Sequence, residues 1–253
     1  MMSISGISGI QAQKTYAALS SGYKINTAAD DAAGLAISEK LLSQTNGYDV
    51  GSSNVKDGIS FINVAEGALS GIQDSLHRIY ELGVRASNGL YSDSDKQAFQ
   101  AEIDGLKQNI QDIAKNTTFN TLKPLDGSMA DIELATNPKG ESLKIQLENT
   151  TLETLGIADF DVTKDFDLKD IEKAIEKISE ARSNFGAHSN ALEHTVNSNN
   201  YASYNMSAAN SRIKDTEYGE QIIKRNRDEA LQQYRFFGIR ARAEQNAGIL
   251  RLF

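Results

Sequence analysis

Cysteine and tryptophan are absent from this chain, and proline is confined to Pro124 and Pro138. Without cysteine there is no disulfide framework, no thiolate metal site and no thiol nucleophile. With both prolines in one short segment, the long reaches on either side are free to be helical. Basic residues fall short of acidic ones, 26 against 34, for a formal charge of −8. Binding to phosphate backbones needs a concentrated basic surface, so this balance argues for solubility and against a nucleic-acid binder. No apolar run approaches a membrane span. The start, MMSISGISGIQAQKTYAA, has no basic region followed by a sustained apolar core and so does not read as a cleavable secretory signal. Taken alone, these absences point to the cytoplasm. The length, 253 residues, fills one or two ordinary domains, or long helices without a thick globular core.

What is present is organised around Leu19 to Leu41, LSSGYKINTAADDAAGLAISEKL. Ser20, Ser21 and Gly22 break a helix, and Asn26 and Thr27 offer side-chain oxygens to exposed backbone N–H groups. Asp30 and Asp31 then stand where a helix N-terminus favours negative charge and caps, ahead of good helix formers. The physical reading is a helix–turn–helix joint. At LSSG, KIN, ADDAAG and AI the chain closely resembles bacterial flagellins, with the same words at the same spacing.

Before the joint, Ile4, Ile7 and Ile10 recur at helical spacing but are interrupted by Gly6 and Gly9, which predicts a frayed start. From Ala32 to about Asn88, Val55, Ile59, Ile62, Leu69, Ile72, Leu76, Ile79 and Leu82 fall on steps of three, four and seven, a coiled-coil seam with Glu66 at one seam position. After a turn at Gly89 to Asp95, with Ser94 or Asp95 as cap, a second helix carries Phe99, Ile103, Leu106, Ile110 and Ile113 on one face. A short polar loop makes the two an antiparallel pair. DGISFINVAEGALSGIQDSLHRIYELGVRASNG again resembles flagellin. From Asn116 to about Phe166 the helical period disappears and the segment reads as β, with alternation in DIELAT and SLKIQL around NPKG predicting a hairpin. FNTLKPLDG and LGI resemble the words that flank the flagellin hairpin. About fifty residues leave no room for the large variable central domains that many flagellins insert, which implies a short form.

Past Asp167, a predicted cap, Ile171, Ile175, Ile178, Phe185, Leu192 and Val196 restore the helical period and supply the packing partner. ARSNFGAHSNALEHTVNSN resembles the family's return helix, and AANSRIKDTEYGEQ the word leading into its C-terminal helix. The last run keeps Ile223, Leu231, Tyr234, Phe237, Ala241 and Leu252 at roughly heptad spacing. The expected fold is mainly α, an elongated bundle of long antiparallel coiled-coil helices with a small β-hairpin in the middle. Five segments follow: 1–31, an N-terminal inner-layer segment and spoke, mobile in the monomer; 32–115, the N-terminal helical body; 116–166, the hairpin region; 167–214, the return helix; and 215–253, the C-terminal inner-layer helix.

No catalytic residue, cofactor site or metal site is predicted. His77, His188 and His194 are too few and scattered for a ligand cluster, and no HExxH word exists. Asp30 and Asp31 are adjacent on a helix, point in different directions and lack an acid or base partner. Lys224, Arg225, Arg227, Arg235, Arg240, Arg242 and Arg251 are interleaved with Asp228, Glu229 and Glu244, the pattern of a solvated face. The chain is not expected to be an enzyme, to bind nucleic acid or to insert in a membrane.

The resemblance implies the function: a structural subunit of the bacterial flagellar filament, exported unfolded through the flagellar type III channel and located outside the cell, which overrides the cytoplasmic reading. It implies other flagellin subunits, a flagellar export chaperone, hook-associated and cap proteins, and the flagellin-sensing Toll-like receptor of animal hosts as partners. The assembly and chaperone surface falls on Ile223, Leu231, Tyr234, Phe237, Leu250 and Leu252, and the receptor site on Arg78, Leu82, Asn88 and Glu102, with Arg85 where Gln is common. Two departures stand out. The helical segment ahead of LSSG is shorter than in typical flagellins, and Phe236, Phe237, Arg240 and Arg242 occupy positions usually held by small or uncharged residues, which predicts altered self-assembly or dependence on another flagellin. The alternatives are a hook–filament junction protein, which the AADDAAGLAI and ARSNFGAHSNALEHT words disfavour, and a flagellin-like surface protein binding polysaccharide, for which the short β segment leaves little room.

Overall fold

The computed structural model describes the backbone of residues 4–250 and the side chains of residues 13–245. In chain order the elements are α1 (Ile4–Ser21), α2 (Ala32–Ala86), α3 (Asp93–Asn116), β1 (Asp131–Ala135), β2 (Ser142–Gln146), α4 (Leu152–Leu155), α5 (Leu168–Lys214) and α6 (Tyr218–Leu250). The protein is thus mostly helical with one two-stranded antiparallel sheet. Helix α1 runs unbroken through Gly6 and Gly9, where glycine had been expected to fray it. The chain packs as two compact units, Asn46–Ala202, and Met1–Thr45 with Ser203–Phe253.

The core of Asn46–Ala202 is a heptad seam. Val55, Ile62, Leu69, Ile72, Leu76, Ile79 and Leu82 of α2 are buried against Ile103 and Ile110 of α3 and Ile171, Ile178, Phe185 and Leu192 of α5. Steps of three, four and seven keep one apolar stripe on one side of each helix, which is why all three present it inward. Polar contacts beside the seam fix direction. Arg78 Nε donates to Glu102 and Asn109 Nδ2 to Ser75 Oγ, so α3 runs antiparallel to α2. Tyr80 OH donates to Glu172 and Arg182 pairs with Glu66, so α5 does too. The seam position expected at Glu66 is filled instead by buried Ala65; Glu66 is 43% exposed and meets Arg182 at 3.5 Å. A carboxylate within the seam would lose its hydration, and one residue of helical rotation avoids that cost.

Helix α3 begins earlier than expected. Its cap is Ser92, not Ser94 or Asp95: Ser92 Oγ accepts from the Asp95 N–H and the Asp95 carboxylate accepts from the Ser92 N–H, so two otherwise orphaned donors are satisfied reciprocally. Asp167 does precede α5, accepting from the Lys169 N–H at 2.9 Å.

Of the segment read as β, only two five-residue strands are sheet, paired Ile132 with Ile145 and Leu134 with Leu143. The rest is turns and the single-turn α4, held to α3 where Gln100 Oε1 accepts from the Val162 N–H at 2.8 Å and Lys107 Nζ donates to the Phe160 carbonyl. The hairpin tip is fixed by one carbonyl. Thr136 O accepts from Asn199 Nδ2 of α5 at 2.6 Å, and both residues are buried. On its other side, a Cβ on Gly51 of α2 would fall 2.4 Å from that same oxygen. Glycine at 51 is therefore a condition of close approach, whereas a Cβ on Gly67, in the same helix, would meet nothing within 4 Å.

These two glycines give opposite expectations. Gly67→Ala should raise stability by about 1 kcal/mol through helix propensity. Gly51→Ala should instead lower it, by about 1–3 kcal/mol of overpacking, although the intrinsic preference is the same. Urea unfolding of the two variants followed by circular dichroism checks the signs.

Candidate assembly surface on the terminal helices

The second unit is built on the joint between α1 and α2. Gly22, with φ of +79°, closes α1 as a left-handed C-terminal glycine, its N–H donating to the Ala18 carbonyl. The chain then meets the break between α5 and α6. The Lys24 N–H donates to the Lys214 carbonyl at 2.8 Å and the Thr216 N–H to the Gly22 carbonyl at 2.9 Å, an antiparallel bridge of Tyr23 with Asp215. Side chains reinforce it: Lys24 Nζ donates to the Arg212 carbonyl at 2.7 Å, and the Lys214 ammonium stands 5.1 Å from the centre of the Tyr23 ring.

Beyond the bridge, Asp30 gathers the spoke. Its Oδ2 accepts from the Asn26 N–H, the Thr27 N–H and the Thr27 hydroxyl, and its Oδ1 meets Lys14 Nζ of α1 at 2.9 Å. Asn26 and Thr27 had been expected to supply the oxygens; the carboxylate, a stronger acceptor, does so instead. Asp31 caps α2, accepting from the Gly34 N–H at 2.9 Å. A Cβ on Gly34 would fall 2.4 Å from Asp31 Oδ2 and 2.7 Å from Cδ1 of the buried Ile25, so either side chain would have to shift to admit one. Lys14 and Thr27 hold the Asp30 carboxyl down from its ordinary 3.8 to about 2.

Helix α6 runs antiparallel to α1, with polar contacts between them among the described side chains. Tyr16 OH donates to Glu229 Oε1 at 3.0 Å, a bond that raises the phenol's pKa. Arg225, Asp228 and Gln232 line the same junction beside Thr15. Ile223, Leu231, Tyr234 and Phe237 lie within an arc of roughly 120° on the opposite side of α6. They are 71%, 47%, 76% and 66% exposed. Phe236 and Ile239 are also exposed, on the other side of the helix from that arc. A helix with apolar side chains around much of its circumference belongs inside a larger assembly. The basic residues between them are largely paired within the helix, Lys224 with Glu220, Arg225 with Glu229 and Arg240 with Glu244. Leu252 and the side chain of Leu250 lie outside the described residues. Among the described residues no group of three His, Asp or Glu side chains could hold a metal ion, and no helix is long and apolar enough to cross a membrane.

Residues 2–130 match the bacterial flagellin N-terminal helical region, and residues 168–252 the bacterial flagellin C-terminal helical region. The chain belongs to the flagellin family. It is 38% identical over 235 residues to a flagellin of Halalkalibacterium halodurans, covering 90% of this chain and 86% of that relative. It is 36% identical to a flagellin of Bacillus subtilis (87% and 86%) and 34% to the flagellar filament core protein flaB2 of Brachyspira hyodysenteriae (96% and 92%). The crystal structure of Bacillus cereus flagellin superposes with a TM-score of 0.52 at 26% identity, over 58% of this chain and 88% of that one. Flagellins are structural proteins of an extracellular filament, not enzymes.

The positions that flagellin resemblance assigned to a receptor are not equivalent in the structure. Arg78, Asn88 and Glu102 are exposed or half-exposed, with Arg78 bonded to both Glu102 at 2.7 Å and Glu81 at 3.1 Å. Leu82 is 1% exposed within the heptad core, so its side chain supports that surface from beneath and offers no direct contact. The Tyr23–Asp215 bridge was not anticipated; it joins backbone positions far apart in sequence, which side-chain identity does not mark.

Because the Asp30 pKa is lower in the folded chain, the tether to Lys14 is complete above the ordinary carboxylate pKa and is lost as pH falls from 3.8 through about 2. Asp30→Asn should therefore be less stable than the wild type near neutral pH and indistinguishable from it below that window. Thermal melts of the two proteins across an acid series measure the convergence.

Proposed function

We propose that this chain is a structural subunit of the bacterial flagellar filament that polymerises through its terminal helices, after export unfolded through the flagellar type III system. The observation that carries the reading is the exposed arc of Ile223, Leu231, Tyr234 and Phe237, turned away from α1. Full burial of such side chains is worth about 1.5–3 kcal/mol each, and α1 supplies none of it on that side. Identical subunits that repeat one head-to-tail contact without closing a ring form an open helical polymer, which is how a chain of this size reaches filament length. Residues 1–31 and 215–253 are the inner layer of that polymer in this reading, and 32–214 the layer around it.

The same arc fits a flagellar export chaperone before assembly, by helix-in-groove packing. Hook-associated and cap proteins are the partners expected at the filament's ends. Phe236, Phe237, Arg240 and Arg242 make the inner layer bulkier and more charged, so assembly is weaker than for an ordinary flagellin or relies on a second flagellin. The relatives named as filament core proteins favour the filament over the hook–filament junction and polysaccharide-binding alternatives.

Immunogold labelling of filaments from cells carrying the chain tests the reading. Wild-type subunits should label the filament shaft. Phe237→Asp should remove the label from the shaft without unfolding the subunit, because an exposed substitution changes subunit stability by only about 0.5 kcal/mol. Unlabelled shafts in the wild type overturn the proposal, and long filaments grown from the purified chain alone, under conditions that polymerise ordinary flagellins, overturn its altered-assembly part.

Arg78 and Glu102, with Asn88, remain the proposed receptor-facing residues. Arg78→Glu should weaken binding of the purified chain to the receptor's ectodomain roughly tenfold or more. Unchanged binding in surface plasmon resonance removes Arg78 from the site.

A further inference from the structure

The sequence contains two Asn-Gly pairs, Asn46-Gly47 and Asn88-Gly89. Such pairs are chemically fragile. Glycine leaves the amide nitrogen after the asparagine unshielded and its backbone free to bring that nitrogen onto the side-chain amide carbon. The structure treats the two pairs in opposite ways. Asn46-Gly47 lies well inside α2, where the Gly47 N–H belongs to the helical ladder, and a Cβ on Gly47 would fall 2.5 Å from Pro138 Cβ. Attack by the Gly47 nitrogen would require that stretch of helix to open first.

Asn88-Gly89 lies in the turn between α2 and α3. Both residues are exposed, the next residue, Leu90, is 90% exposed, and a Cβ on Gly89 would meet nothing within 4 Å. The Gly89 N–H makes no hydrogen bond among the described residues. The bonds around it concentrate on Asn88: its N–H donates to the Arg85 carbonyl at 3.0 Å, its carbonyl accepts from the Tyr91 N–H at 3.3 Å, and its Oδ1 accepts from the Leu90 N–H at 3.1 Å. The last of these folds the side chain back along its own backbone, beside the peptide that holds the Gly89 nitrogen. It also draws electron density from the amide carbon, Cγ.

We propose that Asn88 is a self-modification site that converts spontaneously, through a cyclic imide with Gly89, to aspartate and isoaspartate. The Gly89 nitrogen gives up its proton and forms a bond to Asn88 Cγ, the Cγ–Nδ2 bond breaks, and ammonia leaves. Water then opens the five-membered ring at either carbonyl. Opening at one restores an α-linked aspartate; opening at the other leaves an isoaspartate with an extra methylene in the main chain. The net change is hydrolysis of one amide, with no oxidant or enzyme. Either product places a new negative charge between Arg85 and the Ser92 cap of α3. In an extracellular filament, where a subunit once placed is not resynthesised, the modified fraction grows with the age of the subunit.

The experiment is peptide mapping by mass spectrometry of the full folded chain, held at mildly alkaline pH, with isoaspartate detected by methyltransferase labelling. Asn88 should gain the mass of an amide-to-acid conversion and become a methyl acceptor, while Asn46 converts roughly tenfold or more slowly because helix opening is required. In the denatured chain the two sites should convert at similar rates. Gly89→Ala, whose Cβ has open space, should suppress conversion at Asn88 without altering the melting curve. Equal rates in the folded chain, an intact Asn88, or a persistent difference after denaturation would each overturn the proposal.

Discussion

Two backbone hydrogen bonds, Lys24 N–H to Lys214 O and Thr216 N–H to Gly22 O, decide how the ends of this chain are used. They pin the break between α1 and α2 against the break between α5 and α6, so that the two terminal helices leave from one point and run antiparallel. An isolated helix the length of α1 is marginal in water, and among the described residues Tyr16, Glu229, Arg225 and Asp228 meet at its junction with α6. The bridge fixes the point from which both helices leave. Lys24, Lys214 and the Asp30 hub then hold the bridge from its flanks.

The consequence is a division of labour in burial. Within Asn46–Ala202 the three long helices bury their seam against one another. On α6, Ile223, Leu231, Tyr234 and Phe237 are exposed on the side away from the partner that the chain provides. Their burial free energy is realised only when another surface covers them.

Much of the fold was legible in the residues. The heptad spacing of Val55 to Leu82 and of Ile171 to Leu192 announced the seam, because a stripe repeated every three and four residues has only one way to be buried. The alternation around NPKG announced the hairpin. The errors were local and share a cause. Ser92 rather than Ser94, Ala65 rather than Glu66, and Asp30 rather than Asn26 and Thr27 as acceptor are choices among neighbours that differ by one helical rotation or one hydrogen bond, and a single sequence ranks such neighbours poorly.

By itself the sequence determined the helical body, the joint at LSSG to DDAAG and the family, since these rest on periodicity and on words long enough to be specific. Only the tertiary structure decided that Leu82 is core while Arg78 is surface, that Gly51 is obligatory while Gly67 is replaceable, that one Asn-Gly pair is exposed and the other locked in a helix, and that the apolar arc of α6 turns away from α1. The physical reason is the same in each case. Composition and spacing fix which face of a helix is apolar, but what approaches that face, and how closely, depends on segments far along the chain, as Asn199 is from Thr136 and Glu229 from Tyr16.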